Sequence, residues 1–122
     1  MFLADNIFTT GLASDGGGEH VDPSKNDVLA TTGPLHACQA LCLVTITALD
    51  LDASRALVEI QHRDSTDDET NPVESVVVAC PADDCKQVEV LFRLESNENV
   101  TVVAYEDCIG RVLVAINWQQ LP

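Results

Sequence analysis

The chain has 122 residues, 46% of them hydrophobic, which is enough for one folded core and too short for two. Twenty acidic against six basic side chains give a formal charge of −14, a sign that repels nucleic-acid phosphates and anionic lipid heads. Direct nucleic-acid binding is thereby excluded, and no apolar run approaches the roughly 20 residues of a spanning helix, so no membrane partner is expected either.

In chain order, residues 1–34 stand apart. They hold five of the six glycines, including Gly16-Gly17-Gly18, and the prolines Pro23 and Pro34, among Asp, Asn, Ser and Thr. Such a stretch has little apolar surface to offset its ordering entropy. It predicts an extended N-terminal arm over 1–34, with Phe2, Ile7, Phe8 and Leu12 as apolar anchors that lie on the domain body or on a neighbouring molecule. The competing expectation is a disordered leader or a first edge strand. Met1-Phe2-Leu3-Ala4-Asp5 lacks the basic start of an export signal and the first lysine is Lys25, so the chain is expected to fold where it is made.

From residue 35 the pattern changes to apolar residues at every second position, the period of half-buried strands. Six strands are predicted, over 37–49, 55–63, 73–80, 86–95, 100–105 and 111–118. In the first, Cys38, Ala40, Cys42, Val44, Ile46 and Ala48 share one face, and Leu41, Leu43, Thr45 and Thr47 the other. Both faces are apolar, which places this strand centrally or at a contact between subunits. In the second, Ala56, Val58, Ile60 and His62 point inward; in the fourth, Val88, Val90, Phe92 and Leu94 do so, with Leu91 an apolar exception on the solvent side. Val112, Val114, Ile116 and Trp118 share a face of the last. A further strand from the arm near Asp27–Thr31 would complete an all-β, antiparallel β-sandwich of six to eight strands, jelly-roll-like, over 35–122.

No catalytic residues are expected. His20, His36 and His62 lie in the arm, at a strand start and at a strand end, and none has a nucleophile and an orienting carboxylate arranged around it. Gly16-Gly17-Gly18 runs into Glu19 and lacks the lysine of a phosphate loop. No metal or other cofactor is expected: Cys38 and Cys42 on a strand make a poor zinc knuckle, and Asp64–Glu69 lacks calcium-loop spacing, which leaves a solvated acidic loop. Of the five cysteines, Cys80 and Cys85 flank a turn between two strands that would bring their Cβ atoms within the roughly 4 Å of a disulfide. Five reduced thiols are the competing expectation, because the chain carries no visible export signal.

The stretch from Leu35 to Leu121 resembles the small jelly-roll proteins encoded beside the major capsid protein of many tailed bacteriophages, which decorate or cement the head. The likeness lies in Ala56-Leu57-Val58-Glu59-Ile60-Gln61-His62-Arg63-Asp64, in the paired strands around Ala79-Cys80-Pro81-Ala82-Asp83-Asp84-Cys85, in Glu95-Ser96-Asn97-Glu98-Asn99-Val100 and in Gly110 to Trp118. The resemblance implies a homotrimer on the outer capsid surface of the virion, made in the host cytoplasm, that binds the major capsid protein and bridges capsomers. On that reading the arm residues Phe2, Ile7, Phe8 and Leu12 touch the lattice, and Leu41, Leu43 and Leu91 form the contact between protomers. The alternative is a carbohydrate- or receptor-binding sandwich module of a fibre or tail accessory protein, which requires an exposed Trp118.

Overall fold

Strands with alternate apolar residues can bury them only by stacking one sheet on another. The computed structural model describes residues 13–122, and these form nine strands with no helix among the described residues. They are β1 Ala13–Asp15, β2 Glu19–Val21, β3 Val28–Thr31, β4 Cys38–Leu49, β5 Arg55–Arg63, β6 Glu74–Pro81, β7 Asp84–Leu94, β8 Asn99–Ala104 and β9 Arg111–Leu121. One sheet has the order β1-β9-β4-β7, with β2 also on β9; the other has the order β3-β8-β5-β6, and every pairing is antiparallel.

β1 and β2 are two halves of one strand. Asp15 pairs with Ile116 and Glu19 with Leu113, so three residues, Gly16-Gly17-Gly18, oppose only Val114 and Ala115. That extra residue is a bulge. Counted as one strand, β1 and β2 give eight positions, and the pairings nest: first with last, then β3 with β8, β4 with β7 and β5 with β6. This is the connectivity of a jelly roll, the sandwich that the sequence predicted.

The core lies where the inward sets of both sheets meet. Ala40, Cys42, Val44, Ile46 and Ala48 of β4 and Val112, Val114, Ile116 and Trp118 of β9 face Ala56, Val58 and Ile60 of β5 and Val100, Val102 and Ala104 of β8. The predicted inward sets of β4, β5 and β9 lie inward, while Leu41 of β4 and Gln61 and Arg63 of β5, at the alternate positions, are buried as well. Turns between them rely on short polar side chains that tolerate positive φ: the non-glycine residues in that region are Asp22, Asn26, Asp50, Asp67, Asp83 and Asn97.

Two expectations need correction. The boundary at 35 moves, because β1, β2 and β3 pair into the two sheets as edge strands and residues 13–34 belong to the sandwich; β3 is the further strand expected near Asp27–Thr31, and β1 is the competing first edge strand. β1 and β2 carry few apolar residues, whereas β3 buries Leu29 and Ala30 in the core. The strands around Cys80 and Cys85 are not paired with each other: β6 pairs with β5 and β7 with β4, so the chain crosses from one sheet to the other at Ala82-Asp83.

The two open sides of the sandwich differ. On the β1/β2 and β3 side the sheets are laced together: the Thr31 N–H donates to Asp15 Oδ2 at 3.0 Å, and His20 Nε2 lies 2.8 Å from Gly17 O and 3.1 Å from Leu29 O. Gly17, at φ +57°, carries no side chain because a Cβ there would sit 2.1 Å from Leu29 O and 2.7 Å from Val114 O. On the β6 and β7 side the Cys80 thiol, a weak donor, reaches Ile46 O and Asp84 O at 3.5 Å each, and Val73, Val76 and Val77 are exposed.

Gly17→Ala is expected to destabilise the fold by about 2–4 kcal/mol, since the methyl meets backbone atoms that cannot move without parting the sheets. Gly16→Ala, with open space around its Cβ position, should change stability by less than about 0.5 kcal/mol. Urea unfolding followed by circular dichroism measures both.

Candidate functional site

Twenty carboxylates must be placed somewhere, and their placement defines a surface. β4 and β9, the central strands of the first sheet, contain none; Arg111 at the start of β9 is their single charged residue. Inward residues of these strands fill the core, so the outward set forms an uncharged face: Leu41, Leu43, Thr45 and Thr47 from β4 beside Leu113, Ala115, Asn117 and Gln119 from β9. The carboxylates cluster in the turns and loops at the sandwich ends, as in Asp64–Glu69 and Glu106-Asp107.

The predicted contact residues Leu41, Leu43 and Leu91 are brought together on this face. Leu41 is directly opposite Leu91 across the β4–β7 ladder, and Leu43 is one outward position along, opposite Glu89. Leu91 stands 55% exposed and forms a knob, whereas Leu41 is buried. Sequence reasoning missed the other feature of the face. The bulge at Gly16–Gly18 presents backbone without side chains beside the small residues Thr45, Thr47 and Ala115, and with Leu113 these line a dent of about 280 Å³. Glu19 stands at its rim, 3.6 Å from Arg111 Nη1. The glycine run was visible in the sequence, but its position opposite Ala115 was not.

The arm residues Phe2, Ile7, Phe8 and Leu12 lie outside the described residues. Cys80 and Cys85 are both free thiols, in line with the expectation of five reduced thiols and not with the alternative bridge: Cys80 points into the core with its Sγ 3.5 Å from Ile46 O, while Cys85 is exposed on the outer face opposite Thr47. They point to opposite sides of the first sheet's plane, and a turn that changes sheets does not draw them together. Cys38, Cys42 and Cys108 are free as well, and burial, with Cys38 nearby, pushes the Cys42 thiol up to about 12.

His62 is a buried strand residue, 3% exposed, packed on Phe92 with ring centroids 5.7 Å apart. Its Nε2 donates to Glu98 Oε1 at 2.7 Å, and its Nδ1 lies 3.5 Å from Glu74 Oε1. Burial raises the Glu98 carboxyl, but the Glu95 N–H at 2.8 Å and the His62 ring outweigh that and hold it below the ordinary glutamate value. The group ties the Glu95–Glu98 turn to β5 and is part of the scaffold. Nearby, Arg63 donates from Nε to Gln61 Oε1 at 2.8 Å and from Nη1 to Asp67 Oδ1 at 3.2 Å, and Asn99 Nδ2 donates to the same oxygen at 2.9 Å. Asp67 thus anchors the acidic loop that the sequence presented as merely solvated. No group of three or more metal-ligating side chains occurs among the described residues.

Trp118 is 8% exposed and belongs to the core, so it offers no platform for a sugar ring. Of the described aromatic residues, Tyr105 is exposed at 43%.

These features define an all-β jelly-roll domain with an uncharged sheet face. No family model and no curated protein matches the sequence. Among solved structures, the chain is similar to the PRD1 vertex protein P5, at 12% identity and a TM-score of 0.56, over 91% of this chain and 95% of that one. It is also similar to part of the exo-β-1,3-galactanase Pc1,3Gal43A of Phanerochaete chrysosporium, at 15% identity and a TM-score of 0.51, over 90% of this chain but 30% of the galactanase. At these identities the likeness is one of fold.

The lowered Glu98 carboxyl stabilises the folded state above the ordinary glutamate pKa of 4.5, and that contribution is lost as pH falls through the lower folded value. Glu98→Gln should therefore be less stable than the parent at pH 7, with the gap closing as pH drops below 4.5, in thermal melts across pH. Alkylation of the native protein at neutral pH should label Cys85 first and leave Cys42 and Cys80 unmodified, whereas all five thiols react after unfolding, as read by mass spectrometry.

Proposed function

We propose that the chain is a decoration protein of a tailed-bacteriophage head. It binds the outer surface of the assembled capsid as a homotrimer, contacts the major capsid protein and bridges neighbouring capsomers without catalysing a reaction. The observation that supports this reading best is the likeness in fold to the PRD1 vertex protein P5, which runs over 91% of this chain and 95% of that one. The charge supports it, because −14 keeps a particle coating soluble and apart from packaged DNA.

The mechanism is mass-action linkage. A protein that binds the expanded lattice and not its precursor stabilises that lattice by its binding free energy, summed over many sites. A trimer adds avidity, because the second and third contacts are made at a high effective concentration. Carbohydrate binding is less well supported, since the galactanase likeness covers a minor part of that enzyme and Trp118 is buried.

The test is co-sedimentation of the full chain with emptied, expanded heads built from the major capsid protein encoded in the same genome, and with unexpanded precursors. Saturable binding to expanded heads and a rise in their thermal rupture temperature are expected, and Phe8→Ala with Leu12→Ala should lower occupancy at least tenfold. Absence of binding to heads, combined with a thermal shift on adding galactose, would overturn the reading in favour of a sugar-binding module.

A further inference from the structure

The uncharged face of the first sheet carries both a knob and a dent. Leu91 stands out from β7 at one side, and the Gly16–Gly18 bulge leaves the hollow over Ala115 and Thr45 at the other. We propose that a second copy of this chain docks on this face, with the Leu91 knob of one protomer seated in the Gly16–Gly18 dent of its neighbour. The inference deepens the decoration reading and takes from it only that copies of the chain associate.

Three observations select a second copy as the occupant. The first is charge: two chains of −14 repel at long range, so they can touch only where neither brings carboxylates, and β4 and β9 supply such a surface. A basic partner would instead be drawn to the acidic loops. The second is area. A strand of 12 residues is about 40 Å long at ~3.3 Å per residue, and four strands at ~4.8 Å are about 19 Å wide, so the face offers about 760 Å², with uncharged β4 and β9 as its middle and β7 and β1/β2 as its margins. A stable interface takes about 800 Å² from each partner. The third is shape: a dent of about 280 Å³ accommodates a leucine side chain, its floor is built from Gly16, Gly18, Thr45, Thr47 and Ala115, and Leu113 gives it an apolar wall.

Glu89 and Arg93 flank Leu91 on β7, and Glu19 at the rim of the dent lies 3.6 Å from Arg111 Nη1, so each carboxylate near the contact has a cation beside it. What opposes docking is the overall charge of −14 on each copy. That repulsion is screened by salt, which gives the contact a signature: association tightens as ionic strength rises, the reverse of binding to a basic partner.

The experiment is light scattering of the purified full chain in reductant, without heads, at about 0.05 M and about 0.5 M salt. The parent is expected to be multimeric, with a dissociation constant at least threefold lower in the higher salt. Leu91→Glu and Gly16→Phe should each reduce the mass to that of a single chain while circular dichroism keeps the strand signal. Leu91 is exposed and Gly16 has open space at its Cβ position, so both substitutions spare the fold. The double variant Gly16→Phe with Leu91→Ala, which fills the dent and shrinks the knob, should regain part of the association. A parent that is monomeric at both salts, or a multimer that ignores both single substitutions, overturns the proposal. Neither result bears on head binding, which the co-sedimentation assay reads separately.

Discussion

At Gly17 the backbone of one sheet meets the backbone of the other, and a single methyl group would not fit between Leu29 O and Val114 O. The bulge that creates this approach acts on both sides of the sheet. Inward, it lets β1 and β2 bend so that Asp15 and His20 reach β3 and close one side of the sandwich. Outward, it removes side chains from the strand beside β9 and leaves the hollow over Ala115. Closure of the core and shape of the outer face are thus one local decision of the chain.

The sheet with the hollow is also the one that keeps charge away from its middle. In a strongly acidic chain, a face of leucine, threonine and amide side chains is costly to leave in water unless something covers it, because Leu91, and in part Leu43 and Leu113, keep apolar area wet. The other sheet meets the same problem differently. Its central strands carry Gln61, Arg63, Asn99 and Thr101, all buried and joined through Asp67 into a hydrogen-bonded group. One layer is therefore secured by polar bonds of its own, and the other is left with apolar area to share.

Much of this was legible in the sequence because alternation is a strong signal in long strands. The inward sets of β4, β5, β7 and β9 follow from spacing alone, and so does the oddity of Leu91 on the outward set of β7. β1 and β2 were not legible as strands: three residues each, with Ala13, Ser14 and Glu19 exposed, give no period to read. The relation between neighbouring strands was also hidden. Nothing in Cys80-Pro81-Ala82-Asp83-Asp84-Cys85 says that the chain changes sheets there, and nothing near Asp67 announces Asn99 as its partner. The contact face was half visible, since two leucines of β4 and one of β7 could be named, while the glycines that shape its other half could be recognised only as no phosphate loop.

Because the first strand pairs with the last, the order of synthesis matters. β9 lies between β1/β2 and β4, so until residues 111–121 have been made, β1 and β2 have no partner in their sheet and β4 lacks one of its two. The apolar row from Ala40 to Ala48 then has no finished layer to rest in. A growing chain of this topology cannot lock its sandwich as it emerges, and its rate of maturation is set by closing a loop of about 90 residues. At a net charge of −14, half-made chains repel one another during that interval, which opposes their association while the central strand is still uncovered.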